Sequence, residues 1–196
     1  MRVLVACEFS GAVRRAFRAR GHASWSCDLL PSDDGSEYHI EGDVRDVLAD
    51  DWDMMIAHPP CTYLASSGLH WNRRIPGRAA QTDAALGFVR ALMGAPIPRI
   101  ALENPVGCVS TRIRKPDQII QPWQFGEDAS KATCLWLRGL PPLIPTTVLP
   151  GGAKARRANQ TASGQNKLGP SPDRWRLRSI TYPGIAAAMA DQWGCA

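Results

Sequence analysis

The chain has 196 residues and a mass of 21.4 kDa, which suits one globular domain over residues 1–196 and excludes two of ordinary size. Hydrophobic residues make up 44% and charged residues 21%, so global disorder is excluded. No run approaches the roughly 20 apolar residues of a membrane helix. The arginines follow the N-terminal apolar run, the wrong order for a secretory signal. These features predict a soluble, cytoplasmic protein without a membrane segment.

The six cysteines form no Cys-x-x-Cys pair, so neither a metal site nor a disulfide framework is expected.

Charge is spread unevenly along the chain, although the formal net charge is only +5. Ten carboxylates lie between Asp28 and Asp53, whereas residues 151–178 carry seven cations against one acid. The cations are Lys154, Arg156, Arg157, Lys167, Arg174, Arg176 and Arg178. A local basic block favours a polyanionic partner such as nucleic acid, and a solvated flexible loop is the alternative. Gly, Pro, Ser, Thr and Asn are frequent over 141–169, which predicts a long mobile loop there.

Strand and helix patterns alternate along the chain. They predict strands over Arg2–Cys7, His22–Asp28, Asp53–Ala57, Arg99–Leu102 and Thr133–Leu137, a helix after Gly11, and further helices over Thr82–Met93 and Gly184–Trp193. Polar residues follow several of these strands directly. The alternation predicts an α/β fold, a doubly wound and mostly parallel sheet, with its site at the carboxyl edge.

The first candidate feature is a ligand-binding loop between the first strand and the first helix. Phe9, Ser10 and Gly11 occupy this loop, where backbone amides at a helix N-terminus can meet a ligand. Asp28 ends the next strand, and a carboxylate there can accept bonds from two ribose hydroxyls. Asp43, in Gly42-Asp43-Val44, can accept a bond from an exocyclic amine.

Two further motifs follow apolar strands. In Pro59-Pro60-Cys61, two prolines stiffen the loop and present a cysteine as a candidate nucleophile; a buried packing cysteine is the alternative. In Glu103-Asn104-Pro105, burial is expected to raise the pKa of the carboxyl group so that it shares a proton. A helix-capping or surface acid is the alternative there.

Taken in order, these motifs resemble the DNA cytosine-5 methyltransferase family. The resemblance implies a class I S-adenosylmethionine-dependent (Rossmann-like) fold and methyl transfer to carbon 5 of cytosine in DNA. It implies that Cys61 is the nucleophile and Glu103 the carboxylate that engages the base, with Pro60, Asn104 and Arg138 as further catalytic positions. It places the cofactor at Phe9, Ser10, Gly11, Asp28, Asp43 and Pro59. Because a duplex hides its bases, a duplex substrate would present a flipped cytosine.

The sequence departs from this family in four places. The cofactor loop reads FSGAVR, His58 precedes Pro-Pro-Cys where glycines are usual, and no Gln-x-Arg-x-Arg motif occurs. Lys131 and Arg138 are the nearest cations for the carbonyl oxygen of the base. Only the segment at about 141–178 stands in place of a target-recognition domain. DNA contact is therefore expected from Lys154, Arg156, Arg157, Arg174 and Arg176.

Such a short segment predicts that the protein recognises DNA with low specificity or reads only a very short sequence, or that a separate partner provides the specificity. The protein can also act as a monomer. Its Trp175 either stacks on a base or anchors the loop in the core. Compactness favours a phage-like enzyme acting in a bacterial or phage-infected cell.

Other functions remain compatible with the same residues. The acceptor can be a free nucleotide or RNA, and the transferred group can be other than methyl. A non-catalytic DNA-binding protein could also retain the fold. A Cys-dependent hydrolase using His58 or His70 has less support, because nothing in the sequence specifies an orienting geometry.

Overall fold

In the computed structural model, which describes residues 1–195, seven strands form one mixed sheet. They are β1 (Arg2–Ala6), β2 (Ala23–Asp28), β3 (His39–Glu41), β4 (Met54–Ala57), β5 (Arg99–Pro105), β6 (Gln118–Ile120) and β7 (Thr133–Arg138). Their order in the sheet is β3-β2-β1-β4-β5-β7-β6. The first five strands are parallel, whereas β7 runs antiparallel to both β5 and β6.

Helices cover both faces of the sheet. They are α1 (Ala12–Arg18), α2 (Ser66–Leu69), α3 (Arg78–Met93), α4 (Val109–Arg112), α5 (Arg174–Ser179) and α6 (Pro183–Gly194). Because successive strand residues point to opposite faces, Val3 and Val5 pack with α1 and α6, whereas Leu4 packs with α3. The predicted doubly wound, mostly parallel α/β sheet is confirmed. None of the helices within residues 1–195 is long and apolar enough to cross a membrane.

The five predicted strands and the two long predicted helices are all present, with ends displaced by a few residues. The strands β3 and β6 were not predicted. Each has three residues and lies at an edge of the sheet. Runs this short show no readable periodicity, because pairing with a neighbouring strand rather than local sequence makes them extended.

The direction of β7 decides which residues reach the site. Pairing of Pro105 with Thr133 puts the start of β7 at the carboxyl edge of β5, and pairing of Ile100 with Arg138 puts its end at the opposite edge. There the Arg138 guanidinium donates to the carbonyls of Met93, Ala95 and Ile97. The predicted catalytic position of Arg138 is therefore wrong: it supports the connection from α3 to β5.

The segment over 141–169 contains one short 3-10 turn, Gly152–Lys154, but it is anchored to the rest of the chain. Leu143 is buried and exchanges two hydrogen bonds with the side chain of Gln118. Further along, the N–H of Leu149 donates to the carbonyl of Trp123. The segment predicted to be a mobile loop thus packs against the body of the fold through specific contacts.

Replacing Arg138 tests this structural assignment. Arg138→Ala leaves three carbonyls without a charged donor, so we expect the free energy of unfolding to fall by about 2 kcal/mol. Denaturant unfolding measures the change. Arg112→Ala is the control, because the exposed Arg112–Asp83 ion pair is worth about 0.5 kcal/mol. Equal stability losses in the two variants would contradict the assignment.

Candidate active site

The loop after β4 presents Cys61 in a fixed turn. The side-chain amide of Asn104, at the end of β5, donates to the carbonyl of Pro59 at 2.8 Å. The carbonyl of Cys61 accepts from the N–H groups of Leu64 and Ala65 at 3.0 and 2.9 Å. Cys61 is exposed. Asn104 thus ties the Cys61 loop to the strand that carries Glu103, and the alternative of a buried packing cysteine does not apply.

A second tie joins this turn to the loop after β5. The N–H of Cys108 donates to the carbonyl of Leu64 at 2.9 Å, and the N–H of Ser66 donates to the carbonyl of Val106 at 3.0 Å. Between them, a Cβ on Gly107 would lie 2.0 Å from the Leu64 oxygen. Only glycine permits this approach, so the two loops are held together through their backbones.

Glu103 lies in a buried, electropositive environment. Its Oε2 is 2.7 Å from Nδ1 of His58, and the side chain of Thr133 also favours the ionised carboxylate. Burial by itself would raise the pKa of Glu103, but Lys131, His58 and Thr133 outweigh it and lower the pKa to about 2. The sequence-based expectation of a raised pKa is therefore wrong, because the motif does not show the cation Lys131, which lies just before the neighbouring strand β7.

The Cys61 thiol experiences opposing effects. Desolvation raises the pKa of Cys61 and the charge of Glu103 adds to the rise, whereas Lys131 and Arg178 oppose it. The net shift is upward, so the thiol is mostly protonated at neutral pH. Lys131 therefore acts on both groups, because it stabilises the Glu103 carboxylate and the Cys61 thiolate.

Glu103 faces a narrow crevice between β5, β7 and the start of α6. Its lining is Glu103, Lys131, Thr133, Thr181, Tyr182 and Ile185, and its volume is about 10 Å³. The Nζ of Lys131 donates to the carbonyl of Arg178 at 3.1 Å. The crevice must widen to admit a ring. Sequence reasoning missed Thr133, Thr181 and Tyr182 here, since only the tertiary fold places them beside Glu103.

On the other side of β4, the loop over Glu8–Gly11 differs from expectation. Gly11 precedes α1 with a φ of 67°. The carboxylate of Glu8, itself buried, accepts from the N–H groups of Val13 and Arg14 at 2.7 and 3.2 Å. Glu8 thus occupies the amides of Val13 and Arg14 at the start of α1, so these two are not free to meet a ligand, and ligand binding by Phe9, Ser10 and Gly11 stays a prediction.

Asp28 and Asp43 are brought together, as the sequence predicted. The carbonyl of Asp28 accepts from the N–H of Gly42 at 2.8 Å. Desolvation, and then the charges of both acids, raise the pKa of the half-buried Cys7 thiol. Cys7 ends β1 with a φ of 59°, a costly conformation for a residue with a Cβ. Asp28 is half-buried, and its carboxylate accepts from the N–H of Leu30. The side chain of Asp43 is paired with Arg45.

Helix α5 lies against this region. The rings of Trp175 and Phe9 are 5.9 Å apart, and the Arg176 guanidinium is 5.3 Å from the centre of the Phe9 ring. Arg176 also pairs with Asp33. Trp175 remains 56% exposed, so it is not the core anchor that was one of the two alternatives. Ser10, next to Phe9 in the chain, is buried.

The basic segment separates into cations with different roles. Lys154 and Arg156 are exposed, and Arg174 is half-buried. Arg157 is 5% exposed, lies over the Trp123 ring and donates to the carbonyl of Gly152. The predicted DNA contact by Arg157 is therefore wrong, because its guanidinium is used inside the fold. Within residues 1–195, no group of three or more His, Cys, Asp or Glu side chains could hold a metal ion.

Comparison with known proteins finds similar solved structures, but only at low sequence identity. No family model matches the chain, and no curated protein matches it. One similar solved structure is a proposed DNA modification methyltransferase encoded within a prophage of E. coli, with 11% identity and a TM-score of 0.46 over 76% of this chain and 52% of that one. Another is the S. pombe Dnmt2 methyltransferase, with 15% identity and a TM-score of 0.48 over 80% of this chain and 57% of that one. The chain thus matches a little over half the length of each.

The opposing charges around Cys61 predict opposite effects of two substitutions. Lys131→Ala removes a stabilising cation, which raises the Cys61 pKa and slows alkylation at fixed pH. Glu103→Gln removes a repelling carboxylate, which lowers the pKa and speeds alkylation. A shift of one pKa unit changes the thiolate fraction about tenfold. The pH dependence of iodoacetamide labelling at Cys61, followed by peptide mass spectrometry, measures both.

Lys131→Arg is the matched control for charge, and the Cys61→Ser chain accounts for labelling at the exposed Cys195. If both substitutions shifted the labelling profile in the same direction, the electrostatic account of Cys61 would be contradicted.

Proposed function

We propose that this chain transfers a methyl group from S-adenosylmethionine to carbon 5 of cytosine in DNA. One observation carries the proposal. The exposed thiol of Cys61 and the buried carboxylate of Glu103 lie at one sheet edge, on segments joined by the Asn104–Pro59 hydrogen bond of 2.8 Å. Lys131 completes the group through its charge on both.

This group of residues supports covalent activation of a pyrimidine. Once its thiol proton is lost to solvent, Cys61 adds to carbon 6, and Glu103, after taking up a proton, donates it to nitrogen 3, where electron density accumulates. Lys131 supplies the positive charge that the ring carbonyl oxygen requires, the role that Arg138 is too distant to fill. S-adenosylmethionine, when bound, provides an electrophilic methyl group to the carbon 5 made nucleophilic in this way. Loss of the carbon 5 proton then breaks the sulfur–carbon 6 bond and frees Cys61.

Residues on the other side of β4 fit the cofactor through carboxylates rather than helix amides. Asp28 and Asp43 are close to one another, and the half-buried Asp28 carboxylate can accept bonds from ribose hydroxyls. Phe9, Ser10 and Gly11 would border the ligand, and Pro59 would separate it from Cys61. Since Glu8 occupies the amides of α1, we assign no anion contact to that helix.

The cations at the surface support a nucleic-acid partner for the same edge. Lys154, Arg156 and Arg174 would contact phosphates, and Arg176 would do so only in competition with Asp33. Phosphate contacts position a protein without reading sequence. A chain acting alone would therefore show low or short specificity, and sharper specificity would come from a separate partner in the cytoplasm.

Nucleoside mass spectrometry tests the reaction directly. DNA from a host without its own cytosine methylation should contain 5-methylcytosine when the protein is expressed. Cys61→Ser should abolish the product because the covalent step is lost, and Glu103→Gln should reduce the rate by about 10²-fold or more. Cys195→Ser is the matched control, since Cys195 is also exposed and has no assigned role.

Other outcomes of this experiment separate the alternatives. A different Cys61-dependent mass shift on cytosine would retain the mechanism and replace the transferred group. A modified base in RNA or in the nucleotide pool, but not in DNA, would change the acceptor. No modified base in any pool would overturn the enzymatic proposal and leave nucleic-acid binding.

Charge reversal tests the nucleic-acid surface. The double variant Lys154→Glu and Arg156→Glu should weaken DNA binding and reduce the slope of log affinity against log salt by about 1 for each phosphate that is no longer neutralised. Lys115→Glu is the control, because Lys115 is exposed and adjoins Arg114, which bonds near the far end of β7. An unchanged salt slope in the double variant would remove this surface from the proposal.

A further inference from the structure

We propose that His58 is a positioning residue that holds the proton which Glu103 delivers to the bound ring; this inference rests on the proposed function. His58 lies directly after β4, and its N–H donates to the carbonyl of Ala6 at 2.9 Å. That bond fixes the backbone of His58 against the end of β1. The ring reaches the opposite neighbour, β5, where Nδ1 is 2.7 Å from the Glu103 Oε2. His58 thus links the end of β1, which leads into the Glu8–Gly11 loop, to β5, which carries Glu103.

The side chain of His58 is largely buried beside that of Glu103. Its side chain is 9% exposed, and that of Glu103 is 10% exposed. Nδ1 is satisfied by the carboxylate, but Nε2 is buried and has no hydrogen-bond partner among the described residues. An unpartnered buried polar atom has a cost that packing alone would not maintain. A proton-holding role accounts for a histidine here, whereas an apolar residue would fill the same space without that cost.

The charge state of Glu103 makes a proton source necessary. Nitrogen 3 of cytosine carries a lone pair, so it accepts a hydrogen bond rather than donating one. Lys131, His58 and Thr133 keep Glu103 ionised, and a carboxylate has no proton to donate. Glu103 must therefore receive a proton before or during addition of Cys61 to the ring.

His58 is the neighbour placed to give that proton. The Nδ1–H bond of protonated His58 breaks as its proton moves to Oε2 of the Glu103 carboxylate, which becomes a carboxylic acid and turns its O–H toward the ring. As the Cys61 sulfur bonds to carbon 6 and the electron pair moves toward nitrogen 3, this O–H bond breaks and the same proton forms the N3–H bond. His58 is left neutral and Glu103 is ionised again, so one proton has moved from His58 to nitrogen 3 and the charge balances. When Cys61 is eliminated, the same proton returns from nitrogen 3 through Glu103 to His58.

The other groups around Glu103 serve this step less well. Lys131 lowers the pKa of Glu103 by its charge, but its Nζ donates to the carbonyl of Arg178. The Thr133 hydroxyl is a neutral alcohol and donates to the carbonyl of Lys131 at 3.1 Å. Neither offers a proton as available as that of an imidazolium.

Two substitutions of His58 separate the supply of a proton to Glu103 from the placing of a hydrogen-bond donor beside it. His58→Asn places an amide donor near the position of Nδ1 but carries no transferable proton, whereas His58→Ala removes both. Single-turnover methylation of a cytosine oligonucleotide is compared with formation of the covalent Cys61 adduct on a 5-azacytosine oligonucleotide. In 5-azacytosine the ring nitrogen at position 5 makes carbon 6 more electrophilic, so addition needs less proton assistance. KM for DNA and for S-adenosylmethionine is measured alongside.

We expect His58→Asn to slow cytosine methylation by about 10²-fold, with KM little changed and with far less loss on 5-azacytosine. Equal loss on the two bases, or full activity in His58→Asn, would overturn the inference while the proposed function stands. A wild-type chain that forms neither product would overturn the proposed function, and the inference with it.

A measurement without any variant covers the case in which His58→Asn does not fold. The solvent deuterium isotope effect on the wild-type chain should be larger for cytosine than for 5-azacytosine. Equal isotope effects on the two bases would count against proton supply by His58.

Discussion

The candidate site depends on the reversal of one strand. Five parallel strands bring their carboxyl ends to one edge of the sheet, and antiparallel β7 adds its amino end to that same edge. Lys131 and Thr133 therefore lie beside Glu103, whereas Arg138 is carried to the far edge. If β7 ran parallel to β5, Lys131 and Arg138, the cations near its two ends, would exchange places. The direction of a single strand thus decides which cation acts on the catalytic groups.

Charge compensation within the site follows from this arrangement. Glu103 is buried but ionised, because Lys131 and His58 offset the cost of burial. The same carboxylate raises the Cys61 pKa, and Lys131 opposes it. Cys61 and Glu103 are therefore coupled electrostatically through one lysine. Under the proposed function, substrate binding would alter this balance, since ring activation requires a thiolate and a protonated carboxyl group together.

Net charge along the sequence was an incomplete guide to the surface. Residues 151–178 contain seven cations, yet Arg157 is buried on Trp123 and Arg176 pairs with Asp33. The acids over 28–53 and the bases over 151–178 thus partly neutralise each other inside the molecule, through the ion pair between Arg176 and Asp33. The cations left for an anionic partner form a smaller set, including Lys154 and Arg156, on the outer side of the segment.

The pattern of residues along the chain predicts the sheet class, five of the seven strands and the placement of Cys61, Glu103 and Asp28 at or just after strand ends, because hydrophobic periodicity and chain order are local properties. Only the tertiary structure shows the three-residue edge strands, the position of Asp43 after β3, the ionised state of Glu103, the occupation of two α1 amides by Glu8 and the contacts of Arg138, Arg157 and His58. Each of these depends on how segments pack in three dimensions. A residue's neighbours across the sheet set its charge and its exposure, and those neighbours cannot be read from the spacing of residues along one strand.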